Sequence, residues 1–283
     1  MKKALIATFS QNGSTTKIAD QIGKGVSSSN CEVTQLLITA NSIPDLKEYD
    51  IIGIGTPTYF FRPPFVVMDF VKALEGIENK SSFVFALYGT DQGDCGNWIR
   101  RKLKKKGSRD VGYFKCFGAD YWLGYIKRNI FFSHTSPTEQ ELSAAELFGK
   151  VVAKRVDEKS LQVEKFDPAM PFMYRLERML VAQPFAKMIY SRTFTVDKSC
   201  NKCGICVKKC PIANISETGN GKLKWQSNCM LCLSCELSCP KDAIRSAFDW
   251  IIFAPFMHYN ISRSKNNVPF AHVIHRKGKT VLT

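Results

Sequence analysis

The stretch KALIATFSQNGSTTKIADQIGKGV, residues 3–26, joins a short apolar run to a polar turn and then to a helical pattern. Residues 3–9 read as a buried strand, Ser10-Gln-Asn-Gly13 as a turn, and residues 14–26 as a helix. Ile18, Ala19, Ile22 and Val26 recur at helical spacing and give that helix one apolar side. A strand that turns directly into an amphipathic helix is the opening unit of an α/β domain.

The same alternation continues downstream. CEVTQLLI (31–38), DIIGIG (50–55), SSFVFALYG (81–89) and KCFGADYW (115–122) are four further strand candidates. Helical patterns fall at 63–75, 95–106 and 138–158. Five strands alternating with helices predict a doubly wound, five-stranded parallel sheet with right-handed crossovers. Ligands of such sheets bind beyond the carboxyl ends of the strands, which singles out three loops.

The first loop, residues 10–15, carries hydroxyls and one glycine at a helix N-terminus, a setting that suits phosphate. It lacks both the Gly-rich dinucleotide fingerprint and the Gly-Lys-Ser/Thr of a nucleotide P-loop; an ordinary capped helix start is the plain alternative. The second, GTPTYFFRPP (55–64), presents Tyr59, Phe60 and Phe61. The third, YGTDQGDCG (88–96), is again rich in glycine.

IATFSQNGSTTKIA, IIGIGTPTYF and ALYGTDQG together resemble the flavodoxin-like family over roughly residues 1–160. The resemblance implies an FMN site. Ser10, Asn12, Gly13, Ser14 and Thr15 would hold the phosphate, and Thr56, Pro57, Thr58, Tyr59, Tyr88, Gly89 and Asp91 would line the isoalloxazine ring. The sequence departs from the usual Thr-Gly-Asn-Thr core, having Asn12-Gly13-Ser14-Thr15 instead, and its third loop matches only loosely.

Forty Lys+Arg against twenty-five Asp+Glu give 283 residues a formal charge of +15, where flavodoxins are typically acidic. Such a balance favours acidic partners or a negative surface and is silent on fold. Arg100, Arg101, Lys102, Lys104, Lys105 and Lys106 crowd one helix whose apolar side is Trp98, Ile99 and Leu103. A solvated face is the plain reading, and a docking surface for an acidic redox protein the sharper one. No recognised nucleic-acid-binding module accompanies the charge, so nucleic acid is not expected. The apolar run that begins the chain stops at Phe9, too short for a secretory signal, and no apolar stretch is long enough to span a membrane. A cytoplasmic location is expected.

Eleven cysteines without a secretory signal point to metal or redox chemistry rather than disulfides. Cys31, Cys95 and Cys116 are scattered, and Cys95 is read as a small buried residue before a redox thiol. The other eight form two runs of C-x2-C-x2-C-x3-C-P: Cys200, Cys203, Cys206, Cys210 with Pro211, then Cys229, Cys232, Cys235, Cys239 with Pro240. Thiolates at this spacing suit iron–sulfur clusters. A pair of zinc sites is the rival, but it leaves the two identical four-cysteine runs and their trailing prolines unexplained. Residues 195–248 resemble the bacterial two-cluster 4Fe–4S ferredoxin family, a small α+β fold. That resemblance assigns Cys200, Cys203, Cys206 and Cys239 to one cluster, and Cys229, Cys232, Cys235 and Cys210 to the other. FTVDKSC and LKWQSNC are the expected strands before each binding loop.

The expected organisation is therefore a flavodoxin-like domain (1–160), a helical linker (161–194), a ferredoxin-like domain (195–248) and a C-terminal extension packed on them (249–283). In the linker, Phe172, Met173, Leu176, Met179 and Leu180 form an apolar stripe expected to face core. The extension's DWIIFAPFMHY would cover a cluster or present an apolar patch to a partner or membrane surface. The chain as a whole resembles flavodoxin–ferredoxin fusion proteins. The function expected is electron transfer between FMN, two 4Fe–4S clusters and a protein redox partner. The alternative is a flavin-dependent reductase of a small molecule bound over the FMN, its pocket shaped by Arg62, Asp91, Asp94 and residues 123–136.

Overall fold

The computed structural model describes all residues except 40–42, 159–161, 220–221, 277–278 and 283. The N-terminal half begins with β1 (Lys2–Thr8), α1 (Ser14–Ser27), β2 (Cys31–Leu37), β3 (Ile51–Pro57) and α2 (Phe65–Ala73). It continues through β4 (Ser81–Tyr88), α3 (Cys95–Lys105), β5 (Arg109–Phe117), α4 (Leu123–Ile126), β6 (Ile130–Phe132) and α5 (Glu139–Asp157). Then follow α6 (Phe172–Leu180), α7 (Gln183–Met188), β7 (Thr195–Val196), α8 (Ile205–Lys208), β8 (Ile215–Glu217) and β9 (Leu223–Trp225). The chain finishes with α9 (Ser234–Leu237), β10 (Ile244–Arg245), α10 (Ala254–Lys265), β11 (Phe270–Arg276) and β12 (Lys279–Leu282).

The chain divides into two compact units, Met1–Gly118 with Thr135–Pro171, and Ala119–His134 with Phe172–Thr283. This division differs from the expected boundaries in two places. Residues 119–134 group with the C-terminal half because β6 pairs antiparallel with β11, Ile130 opposite His272. The linker parts at residue 171. Its first half is strapped to the first unit, where Arg100 donates to the carbonyls of Glu164 (2.6 Å) and Lys165, and Asn97 exchanges hydrogen bonds with the Asp167 backbone.

In the first unit the strands run parallel in the order β2-β1-β3-β4-β5. The order reverses between β1 and β3, which places the loops after those strands at the topological switch point. β3 and β4 are buried on both faces, as a strand covered from both sides must be. Phe83 and Phe85 stack at 6.4 Å and lie across β3, where Gly53 and Gly55 leave room; a Cβ there would come within 2.3 and 2.1 Å of the rings. α1 and α5 cover this face, Ile18, Ile22 and Val26 meeting Phe148 and Val152. Their backbones touch at Gly25 and Gly149, since a Cβ on Gly25 would stand 2.0 Å from the Glu146 carbonyl oxygen.

The fifth strand corrects the sequence reading. It spans Arg109–Phe117 rather than 115–122, and residues 118–122 leave the sheet. Gly112 breaks the apolar pattern that marks a strand, yet it is needed there because the Phe148 ring occupies its side-chain space and would stand 2.9 Å from a Cβ. α3 carries a second correction. Arg100 is 3% exposed and pairs with Asp110 at 2.8 Å while its guanidinium lies over Phe166, so it is a strut beneath the basic face rather than part of it.

The second unit is assembled from small pieces. β7 pairs with β10, β8 with β9, and β6, β11 and β12 form a three-stranded sheet. α6 meets the expectation only in part: Met173, Leu176 and Leu180 are half-buried, Phe172 and Met179 are exposed, and its fully buried residues are Tyr174 and Glu177. Tyr174 meets Tyr259 of α10 edge to face, and Glu177 accepts a 3.0 Å hydrogen bond from Asn260 Nδ2. Glu177 turns inward because Asn260 is there to meet it; an unpaired buried carboxyl would cost more than an exposed Phe.

Burial pushes the Glu177 carboxyl up to about 7, only partly offset by Asn260. A carboxyl raised in the folded state stabilises relative to higher pH: its protonated form is favoured, and that advantage disappears as pH rises from the unfolded value through about 7. Glu177→Gln also supplies a donor to Asn260 Oδ1, a buried atom with no partner. The substitution should raise unfolding free energy by about 3 kcal/mol at pH 8 and by far less below pH 4.5. Denaturant melts at the two pH values read this out; a difference that does not change with pH refutes the assignment.

Candidate functional site

At the switch point β1 passes through Phe9 into the loop 10–13 and then α1. Gly13 stands at φ +89° with open space around it, a left-handed turn that glycine takes without strain. No side chain caps α1 at Gly13, and its first turn holds no acidic residue, so its leading N–H groups face an anion-ready end. Asn12 Oδ1 accepts from Ser14 N at 3.1 Å and fixes the loop. Thr15 is buried beneath it. Ser10 Oγ is buried without a hydrogen-bond partner.

The loop after β3 is folded into a tight turn. Tyr59 and Arg62 exchange backbone hydrogen bonds of 2.8 and 3.2 Å, and Phe60 and Phe61 between them both have positive φ, 49° and 62°. This is the geometry of a type I′ turn, which normally takes Asn-Gly; two phenylalanines there store strain of about 1–3 kcal/mol each, a cost found at functional sites. The turn is held from three sides. The Tyr59 hydroxyl donates to Gln11 of the first loop. Asp94 N donates to the Phe61 carbonyl at 2.9 Å. Gly93, at φ +56°, presses on Phe61 so closely that a Cβ would lie 2.4 Å from Phe61 Cβ. In the third loop Asp91 accepts from Gly93 N at 2.8 Å.

The expected ring-lining residues thus come from neighbouring loops but play unlike parts. Thr56 is fully buried and donates to the Pro57 carbonyl, supporting the turn from below. Thr58 N is tied to the Leu87 carbonyl at 2.7 Å, whereas Thr58 Oγ1 is buried and unpartnered. Tyr88 packs on Phe117 with ring centroids 5.0 Å apart, and burial pushes its phenol up to about 12. Gly89 follows it, at the end of β4. Two orphaned hydroxyls, Ser10 and Thr58, on adjacent loops of an uncapped helix start form a set of polar groups that a phosphate-bearing aromatic ligand would satisfy. Cys95 is buried beside the Pro57 carbonyl, as a small packing residue.

The cysteine segment of the second unit repeats its own backbone. Cys229 follows Cys200 by 29 residues and Cys239 follows Cys210 by the same 29 (229 − 200 and 239 − 210). Lys202 N and Leu231 N each donate to the sulfur two residues back at 3.4 Å. Asn214 N and Ala243 N donate to Cys210 and Cys239 at 3.1 and 3.3 Å. Left-handed residues also recur in pairs: Lys202 with Leu231, Gly204 with Leu233, and Ala213 with Asp242. α8 and α9 begin at matching points after them. The two cysteine runs thus share one backbone conformation, with N–H groups turned to sulfur at matching positions.

The eight sulfurs are shared between two cavities in a crossed pattern. One cavity of about 600 Å³ is lined by Cys200, Cys203, Cys206 and Cys239. A tight one of about 20 Å³ is lined by Cys210, Cys229, Cys232 and Cys235. Among the described residues no three His, Cys, Asp or Glu side chains form a group suited to a single metal ion. Burial pushes the Cys229 and Cys232 thiols up to about 11 and about 12, so thiolates form there only against a compensating cation. Phe194 and Trp225, stacked at 5.2 Å and 7°, wall both cavities. Neither aromatic stands out in the sequence, although each lies in an expected pre-loop strand.

Next to Cys235 sits a second feature that the sequence does not reveal. Glu236 is 2% exposed and accepts from Lys127 and from Ser246 Oγ (3.2 Å), while Lys127 also reaches Asp249 at 2.7 Å. Nothing in the local pattern links Lys127 to Glu236, 109 residues away. Lys127→Met should leave Glu236 buried without its cation and lower stability by about 3 kcal/mol. Adding Glu236→Gln should restore much of that loss, and a double variant no better than the single one would refute the pairing.

Residues 5–135 match the flavodoxin domain family. No curated protein matches the chain. Among solved structures it is similar to a flavodoxin from the domain Archaea, at 20% identity over 55% of this chain and 99% of that one, with a TM-score of 0.44. Oxidised Flavodoxin 2 from Bacillus cereus shares 23% identity over 54% and 99% of the two chains, with a TM-score of 0.45. Oxidised Flavodoxin 1 from the same organism shares 19% over 57% and 100%, with a TM-score of 0.44. The N-terminal region is a flavodoxin-like domain, and such a fold supports FMN binding and flavin-mediated electron transfer. No described helix is long and apolar enough to cross a membrane.

Proposed function

We propose that this chain carries electrons between an FMN held by the first unit and two 4Fe–4S clusters held by the second, exchanging them with an acidic redox protein. The observation that carries the reading is the crossing of the fourth cysteines: Cys239 joins Cys200, Cys203 and Cys206, and Cys210 joins Cys229, Cys232 and Cys235. Two zinc sites do not require that exchange, whereas in two-cluster ferredoxins the fourth cysteine of each run ligates the other cluster. When bound, the flavin exchanges one or two electrons and each cluster one, so the set joins two-electron to one-electron chemistry.

The chain's own residues have defined tasks in this reading. Asn12 and Gly13 shape the phosphate turn, with Ser10, Ser14 and Thr15 around it. Thr58 and Tyr59, held by Gly93 and Asp91, position the ring, with Pro57, Tyr88 and Gly89 beside it. The N–H groups of Lys202, Asn214, Leu231 and Ala243 neutralise part of the charge on their sulfurs and raise the potential. Cys203 is exposed, and Lys198, Lys202 and Lys222 line the same cavity with two carboxylates, Asp197 and Glu217. That edge is where an acidic partner would meet the clusters.

Two measurements test the reading. Anaerobic reconstitution should give about eight irons and one FMN per chain. Cys200→Ser and Cys239→Ser should perturb the same low-temperature EPR signal and Cys210→Ser the other; pairing of Cys210 with Cys200 instead overturns the crossing. Asn12→Asp should weaken FMN binding by about tenfold through repulsion of the phosphate. It should leave riboflavin, which lacks the phosphate, almost unaffected; equal loss of both removes this loop from the site.

A further inference from the structure

The second unit turns a group of large apolar side chains outward. Trp250, Ile251 and Ile252 are 53, 88 and 65% exposed around one short 3₁₀ turn, and Phe185, Met188 and Ile189 are exposed on and just beyond α7. The two groups rise from one aromatic base. Tyr190 stacks on Phe248 at 5.8 Å and meets Phe253 at 6.0 Å, and Ala247 N donates to Thr193 Oγ1 at 3.1 Å.

Successive residues of a 3₁₀ turn point about 120° apart. Trp250 leads into the turn, Ile251 and Ile252 point outward from it, and only Phe253 turns inward as its buried anchor, so two of the turn's three directions face solvent. Projecting apolar residues in one patch mark an interaction site. In sequence, the segments that carry them are basic apart from Asp249. Residues 183–193 contain Lys187 and Arg192 and no acid, and residues 250–265 contain Arg263 and Lys265 and no acid. The neighbouring carboxylate, Asp249, is taken by Lys127.

We propose that this face docks the protein on an anionic lipid bilayer. Trp250, Ile251 and Ile252 enter the interfacial layer, where tryptophan is favoured, while Lys187 and Arg192 meet the headgroups. A convex apolar tip with a basic collar suits a yielding lipid surface; a protein partner would need a pocket shaped to receive it. Without a spanning helix among the described residues, such binding is peripheral and reversible.

Co-sedimentation of the full chain with vesicles tests this. The protein should pellet with phosphatidylcholine vesicles containing about a third phosphatidylglycerol, and not with phosphatidylcholine alone. Salt at about 0.5 M should release most of it. The Ile251→Glu/Ile252→Glu variant should bind anionic vesicles at least about tenfold more weakly with its circular dichroism unchanged, and Lys187→Glu should also weaken that binding and make it less sensitive to salt. Failure of the wild type to pellet with anionic vesicles, or equal pelleting of the double variant, overturns the proposal. A wild-type dimer in solution that the double variant splits, with no vesicle binding by either, would instead make this face an interface between copies.

Discussion

At the root of the cysteine module the chain at β7 lies antiparallel to β10, with Val196 opposite Ile244 and Thr195 opposite Arg245. Only two residues pair on each side, yet the contact decides where the sulfurs stand. It fixes the chain entering the first cysteine run next to the chain leaving the second, so Cys239 is delivered to the loop that holds Cys200. β8 and β9 make the corresponding join from inside, with Ile215 opposite Trp225, and deliver Cys210 to the loop of Cys229. Sequence-local hydrogen bonds set the shape of each loop, but these two short ladders set which loop receives which fourth sulfur.

The first unit solves a different problem with a similar economy. Its sheet is ordinary in topology, and the unusual energy is concentrated after β3, where Phe60 and Phe61 occupy left-handed backbone. Such a turn persists only if its surroundings hold it. Gly93 presses on it, Asp94 bonds to it, and Tyr59 ties it to Gln11. The result is a braced aromatic turn beside two loops whose hydroxyls, Ser10 in the first and Thr58 in the second, are buried without partners.

Much of this is legible in the amino-acid order, and the reasons for the exceptions are physical. Short apolar runs and period-3.6 patterns locate the first four strands and their helices, because the central strands are buried on both faces and the helices on one. β5 escapes them because Gly112 reads as a break, while the space it leaves is filled by Phe148. α6 departs in part because a hydrophobic stripe ranks Phe above Glu, and only the partner Asn260 makes Glu177 the better inward residue. The grouping of residues 119–134 with the C-terminal half is beyond reach of local patterns, since it depends on pairing with β11 about 140 residues later. Cysteine spacing is the most legible signal, being a local chemical code, and yet the strained turn at 60–61 leaves no mark that a sequence pattern could carry.

The crossed sulfurs also impose an order on biosynthesis. As the chain emerges from the ribosome, Cys200, Cys203 and Cys206 appear first, but their set stays incomplete until Cys239. The other set begins with Cys210 and is complete at Cys235, four residues sooner (239 − 235). The set that starts first therefore finishes last, and for some thirty residues of synthesis three thiols wait for a fourth. A premature partner for those three, whether a stray metal ion or a neighbouring thiol, would trap the module in the wrong pairing. On the proposed cluster assignment, protection of nascent thiols follows from the topology of the chain itself.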